Sequence, residues 1–262
     1  MSRQNFYKSR KHRARRTVDE VLVRELVKSE RRVQPRLGGV KLHVMLREQL
    51  EEAGVHLGRD RFFEVLRHQD LLLEPLPKAP KTTCSAHCLP VFTNLVKDRD
   101  LMMPNEAWSS DITYIRTHTE FLYLSLVMDM SSRKIVGYHL GKSLEAVETL
   151  KALAMALNAK PEGSRPIHHS DRGCQYCSHE YVDRLNEAEM PISMTEVNHC
   201  AENSKSERVN GILKQEYYLK AEFRTMEQAQ KAVDEAVHLY NTRRPHRSLQ
   251  YRTPEQAHQA AA

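Results

Sequence analysis

Residues 121–130 read FLYLSLVMDM, and this run limits the architecture more than any other stretch of the chain. Ten residues are too few to span a bilayer, which takes roughly 18–20 apolar residues in a helix. A short apolar run bounded by turn signals suits a strand covered on both faces. Its neighbours agree: WSSDITYIRT (108–117) alternates like a strand, SSRK (131–134) reads as a turn, and KIVGYHL (134–140) returns as a third strand. Three tightly connected strands in succession predict antiparallel pairing. Beyond them, helices and strands alternate. The pattern predicts a helix over Leu144–Leu157, the strand PIHHSD, a helix around His179–Ala188 and the strand PISMT. Two long helices follow near 203–221 and 225–241, the second opened by Thr225 and Gln228 at capping-box spacing. The expected class is α/β, a mixed five-stranded sheet flanked by helices.

The front of the chain differs in kind. Residues 1–81 carry 19 Lys/Arg and 11 Asp/Glu, a net +8, whereas the remainder carries −2. A basic front on a near-neutral body points to a polyanionic partner, and the lack of aromatic anchors on a basic amphipathic face favours nucleic acid over membrane. Residues 1–16 read as a solvated basic arm. Residues 17–74 read as a small helical domain: one helix after Thr17 and Glu20, a second near Val40–Ala53 stopped by Gly54, and a third from Gly58. The last two, joined by AGVHLG, resemble a helix-turn-helix, with Arg59 and Arg61 free to face DNA; a plain three-helix adaptor fits equally. Pro75, Pro77 and Pro80 mark a stiff linker over 75–95. The body is then 96–258, with a tail at 259–262.

Three carboxylates stand out within the body. Asp111 lies inside a strand, where Asp is disfavoured and where burial of an unpaired charge is costly. Asp171 ends PIHHSD; it either starts a turn relaxed by Gly173 or serves as a ligand. Glu207 lies in the helix NSKSERVNGILKQEYY. At 100° per residue, Asn203, Asn210, Gly211, Lys214 and Tyr218 fall on or beside the Glu207 face, and Val209, Ile212 and Leu213 fall opposite. Acidic oxygens from two strands and a helix suit a pair of Mg²⁺ or Mn²⁺ ions, which take few protein ligands and act on phosphodiesters. Lys214 would then grip a neighbouring phosphate. Asp129, in the second strand, is the rival carboxylate.

At these residues the chain resembles a family. WSSDITYI, SLVMDMSSRKIVGY, HSDRGCQY, NSKSERVNGILKQEYY and YNTRRPHRSLQYRTPEQA are similar to the core of DDE transposases and integrases. The nearest likeness is to second-frame (OrfB) transposases of frameshifting bacterial insertion sequences of the IS-three group. Thirty-five residues lie between Asp171 and Glu207, and a basic residue, Lys214, follows seven positions on, both as in that family. The likeness covers about residues 30–258. It implies a ribonuclease H-like fold, and Asp111, Asp171 and Glu207 as the catalytic residues and ligands of two Mg²⁺ or Mn²⁺ ions. It also implies cleavage of element ends in double-stranded DNA followed by strand transfer, an upstream-frame OrfA partner or a fusion with it, and homo-oligomers on DNA. Lys214, Asn203, Asn210, Arg59 and Arg61 are the DNA-binding candidates. Alternatives from other classes are an inactive DNA-binding regulator and a nuclease without strand transfer.

Other signals lead elsewhere or nowhere. Five cysteines in 262 residues suggest no disulfide framework, so a reducing cytoplasm is expected. Cys84, Cys88, Cys174 and Cys177 could be assembled into a zinc site only by joining distant regions. His168 and His169 are expected to pack or hydrogen-bond near the site. The absence of G-x-x-x-x-G-K-[ST], H-E-x-x-H and G-x-S-x-G argues against an NTPase, a zincin and an α/β-hydrolase. The arginines of RRPHRSLQYRTP read either as a basic exposed tail or as DNA-backbone contacts.

Overall fold

The structure is a computed structural model and describes residues 19–74, 89–196 and 203–260. The basic arm, Thr17 and most of the linker lie outside these residues. The chain divides into two compact units after Pro77.

The first unit has three helices: residues 19–33 (α1), Gly39–Glu52 (α2) and Arg59–His68 (α3). Leu42, Leu46 and Leu50 recur one turn apart and so line one face of α2. They meet Val23, Val27, Phe62, Val65 and Leu66 in a single core. Gly54 takes φ +73°, a left-handed conformation that costs a side-chain-bearing residue energy, and α2 ends beside it as expected. Buried Val55 anchors the connection to α3. Arg31 straps the unit, donating to Leu71 O at 2.6 Å and Leu37 O at 3.3 Å.

The second unit is built on a sheet. β1 (Ala107–Thr117), β2 (Phe121–Asp129) and β3 (Ile135–Gly141) form the expected antiparallel meander. β4 (Ile167–Ser170) pairs parallel with β1, and β5 (Ile192–Met194) pairs parallel with β4, giving the order β3-β2-β1-β4-β5. A two-residue β6 (Glu222–Phe223) adds a sixth strand at the far end of β1. Helices α4 (Ala146–Asn158) and α5 (His179–Glu187) cover one face. There Trp108 and Val127 meet Ala152, Leu153, Tyr181 and Leu185. Helices α6 (Ser204–Glu216) and α7 (Met226–Thr242) cover the other. There Ile115, Leu124 and Leu126 meet Val209, Ile212, Leu213, Val233 and Tyr240. The apolar run in β2 is therefore covered on both sides, because its alternate residues feed two separate cores.

Two expected boundaries move. α6 ends at Glu216 rather than near 221, because Tyr218 turns left-handed (φ 58°) and swings Leu219 fully into the core. At the start of α7, Thr225 accepts from Gln228 N as a cap, but the Gln228 side chain reaches Arg224 N instead of completing the box.

The arginine-rich end is not a uniformly exposed tail. Arg244 is 2% exposed and makes two 2.8 Å bonds to Glu216, while its third nitrogen meets His246 Nε2 at 2.8 Å. The C-terminal segment, ending in α8 (Pro254–Gln259), is thus clasped to the end of α6. The other three arginines of this stretch, Arg243, Arg247 and Arg252, are exposed.

Two substitutions test this packing. A Cβ at Gly137 would lie 2.2 Å from Ala152 O, an unyielding backbone atom, so Gly137→Ala should lower stability by about 1–3 kcal/mol or more in chemical denaturation. Glu216→Ala strands a buried guanidinium and should cost about 3–5 kcal/mol by the same measurement.

Candidate active site

β1 presents Ser109, Asp111, Thr113 and Ile115 to the α6–α7 side, following the two-residue period of a strand. α6 is fastened across this surface by three polar contacts. Asn203 Nδ2 donates to Ser110 O at 3.4 Å, Ser206 Oγ donates to Ser109 Oγ at 2.6 Å, and Asn210 Nδ2 donates to Asp111 Oδ2 at 2.7 Å. Spacings of three and four residues keep all three on one helical face.

Asp171 follows directly on β4. That strand pairs Trp108 with His168 and Ser109 with His169, so Asp171 emerges just past the end of the pairing, where its charge acts on Asp111. Asp171 Oδ1 accepts from Gly173 N at 3.0 Å. This is a side-chain turn: the backbone turn starts later, with Tyr176 N and Cys177 N donating to Gly173 O.

Glu207 is exposed in the first turn of α6. The expected polar stripe is split: Asn203 and Asn210 are buried, although they lie only about 40–60° from Glu207 around the helix. That offset turns both amides onto β1 and leaves Glu207 at the margin. Both amides fasten α6 to β1.

Electrostatics tie the acids together. Asp111 is pushed up to about 7, first by burial, then by the Asp171 charge and least by Glu207; the bonds from Asn210 and Ile112 N oppose the shift. Lys214 is depressed by burial while the Asp111 charge opposes the shift. Its Nζ lies 4.7 Å from the Tyr114 ring centroid. Among the described residues, no group of three His, Cys, Asp or Glu side chains is gathered closely enough to hold a metal ion. The arrangement thus brings Asp171 and Glu207 each within electrostatic range of Asp111 without assembling a closed ligand set.

The remaining candidates are placed as follows. Asp129 is fully buried and accepts from Asn105 N, Ser132 N and Ser132 Oγ, each at 2.7 Å; it fastens the β2–β3 turn. His168 Nε2 lies 2.8 Å from Ser110 Oγ and 3.0 Å from Tyr181 OH, and burial holds this histidine neutral, down to about 3. His169 Nδ1 meets Ser193 Oγ at 2.9 Å. Cys177 is buried against Met194 and Cys174 is exposed, while Cys84 and Cys88 lie outside the described residues. In the first unit Arg59 is exposed beside Asp60. Arg61 is drawn inward by Glu20 and Glu64, both at 2.6 Å, which corrects its expected outward role. Sequence reasoning missed the Ser109–Ser206 contact and the His168–Ser110–Tyr181 cluster. The only signal was the polar residues flanking Asp111 in a strand that is otherwise apolar.

A mixed sheet in the order β3-β2-β1-β4-β5, opened by an antiparallel meander and flanked by helices, is the fold of an integrase-type core. Models of the Integrase core domain family match residues 102–200 and 188–254. Across its whole length the chain is 32% identical to the insertion element IS600 31 kDa protein of Shigella sonnei, covering 98% of that protein. It is 36% identical over 140 residues to transposase InsF for insertion sequence IS3A of Escherichia coli K12, a match spanning 53% of this chain and 49% of InsF. In fold it is similar to a chain of the simian T-cell lymphotropic virus intasome, with TM-score 0.52, 19% identity, and 84% of this chain and 74% of that one covered. The chain belongs to the insertion-sequence transposases, whose integrase core is of the ribonuclease H-like superfamily.

The raised Asp111 gives a pH signature. Its folded pKa lies above the unfolded value, so the metal-free protein binds an extra proton between about pH 4 and 7 and loses stability as pH rises through that window. Asp111→Asn should remove this slope and raise metal-free stability at pH 8 by about 1 kcal/mol or more, read by denaturant titration at pH 5 and pH 8.

Proposed function

We propose that this transposase uses Asp111, Asp171 and Glu207 to hold two Mg²⁺ or Mn²⁺ ions, cleaves DNA at the ends of an insertion sequence, and joins the freed 3′-hydroxyl to a second strand. The observation that carries this reading is Asp111, a half-buried strand carboxylate whose charge is disfavoured by the charges of Asp171 and Glu207. Negative charge concentrated in that way is stabilised by hard divalent cations, for which carboxylate oxygens are the fitting ligands. Such ions, when bound, activate the attacking oxygen and stabilise the leaving one in an in-line displacement at phosphorus.

The chain's own groups supply orientation. Asn210 holds Asp111 Oδ2, and Gly173 N holds Asp171 Oδ1, so the direction of each carboxylate is fixed by the fold. Glu207, the exposed member on α6, completes the set by side-chain rotation. Lys214, part-buried above Tyr114, binds a phosphate beside the scissile one. The partners under this reading are double-stranded DNA of the element ends and of the target, a second copy of the chain to bring two ends together, and an upstream-frame product for end recognition. The basic first unit, through Arg59 on α3, contributes backbone contacts. No described helix is long and apolar enough to cross a membrane.

Incubation of the full chain with labelled element-end duplex and Mg²⁺ tests the assignment. Asp111→Asn, Asp171→Asn and Glu207→Gln should each lower the rate about a thousandfold, equivalent to ~4 kcal/mol of transition-state stabilisation. Cleavage persisting at wild-type rate in Asp171→Asn would sink the metal assignment. Cleaved ends without joined products would assign a nuclease instead.

A further inference from the structure

One end of the sheet carries an exposed aromatic pair. Directly opposed residues of an antiparallel pair share a face, so Tyr114 stands beside Tyr123 and Arg116 beside Phe121. Counting back along β1 by twos from Tyr114 leads through Ile112 and Ser110 to Trp108, in the core under α4 and α5. The same face is thus buried at one end of β1 and open at the other. Trp108 is 1% exposed, whereas Tyr114 is 44% and Phe121 52% exposed.

The two rings are held in a fixed relation and rimmed by cations. Their centroids lie 6.0 Å apart with an interplanar angle of 69°, an edge-to-face pair. The guanidinium carbon of Arg116 is 6.0 Å from the Phe121 centroid, and the same arginine pairs with Glu222 at 3.3 Å. Lys214 comes from α6, on the other side of the sheet. β4 leaves β1 after Ser109 and β6 joins it only at Arg116. Across this open edge Lys214 brings its Nζ to 4.7 Å from the Tyr114 centroid.

Adjacent aromatic rings left in solvent beside cations have the chemistry of a surface for single-stranded nucleic acid. Every base has a π-face to lay on a ring, and a cation at the side of the ring attracts both the base and its phosphate. In a duplex those faces are spent on neighbouring base pairs, and only edges and phosphates are offered. The pair therefore fits bases that have left the stack, and the fit tolerates any sequence. Its place is set by the open edge. Asp111 lies on that edge three residues before Tyr114, about 10 Å along the strand, and the Asp111 charge acts on Lys214.

We propose that Tyr114 and Phe121, rimmed by Lys214 and Arg116, form a stacking platform for unpaired nucleobases of the DNA substrate beside the carboxylate centre. This deepens the transposase reading and rests on it for the identity of the ligand.

The test reads binding without chemistry. Fluorescence anisotropy in EDTA compares the affinity of the full chain for two labelled duplexes of one element-end sequence. One is fully paired; the other has its terminal base pairs mismatched, with 2-aminopurine among the unpaired bases. The wild type should bind the mismatched duplex about tenfold more tightly, equivalent to ~1.4 kcal/mol, and quench its 2-aminopurine by stacking. Tyr114→Ala and Phe121→Ala should each abolish the preference and the quenching, and should change affinity for the paired duplex by about twofold at most. Tyr114→Phe should keep both signals. Tyr114→Leu, which retains apolar bulk without a π-face, should behave like the alanine variant. Both side chains are half in solvent, so melting temperatures should fall by about 2–4 °C at most.

Equal wild-type affinity for the two duplexes, or a preference that survives both alanine substitutions, would overturn the proposal. An equal loss on both duplexes in Phe121→Ala and Tyr114→Leu would make the rings supports for the fold or for Lys214, and would overturn it too. Weakened self-association in Phe121→Ala with the DNA preference intact would assign the patch to a second copy of the chain instead. Failure of the carboxylate assignment would appear in the Mg²⁺ cleavage assay and leave the preference for unpaired ends unaltered.

Discussion

The second unit depends on a tolerated electrostatic conflict: Asp111 is half-buried in a strand beside the charge of Asp171 and within range of Glu207. Folding would ordinarily expel or neutralise such a group. Here it is held by a surface that cannot move away. β1 pairs with β2 over nine residues, and the apolar residues of β2 feed cores on both faces. The energy that fixes Asp111 comes from this two-sided burial, and the conflict at its carboxylate is what makes the position useful for cation chemistry.

Helix α6 transmits that constraint. Its apolar residues, Val209, Ile212 and Leu213, dock it on the sheet, while Asn203, Ser206 and Asn210 set its register against β1. Glu207 is carried to the margin of the site as a consequence. At the far end of α6, Glu216 is clasped by Arg244, itself stacked near Tyr240 and His246. A helix fixed polar at one flank and ionic at its end can bear an exposed glutamate without itself being mobile.

Much of this was legible in the residues. The meander, the alternation of helices and strands, and the stop at Gly54 follow from periodicity and turn chemistry, which are local. Asp111, Asp171 and Glu207 stood out because each breaks a local rule or carries the family spacing. What escaped was what depends on rotation by a few tens of degrees. The helical wheel grouped Asn203 and Asn210 with Glu207, but the docking angle of α6 gave the amides to the strand. The same holds for Arg61, whose direction was set by Glu20 on another helix, forty-one positions away. The arginines near the end looked solvated in sequence because the partner of Arg244 lies twenty-eight residues earlier. Side-chain direction is a tertiary property, and composition alone does not carry it.

The pairing of β1 has a last consequence. β4 accompanies it only over Ala107–Ser109 and β6 only over Arg116–Thr117, so the intervening residues have a strand partner on one side alone. In an ordinary sheet such a gap invites another chain to zip onto the bare edge. Here the amide of Asn203 takes Ser110 O and α6 lies against the opening, so a helix serves as the gatekeeper of an interior seam. Asp111 thereby sits beside a break in the ladder instead of beneath a continuous roof, and its carboxylate is only half-buried.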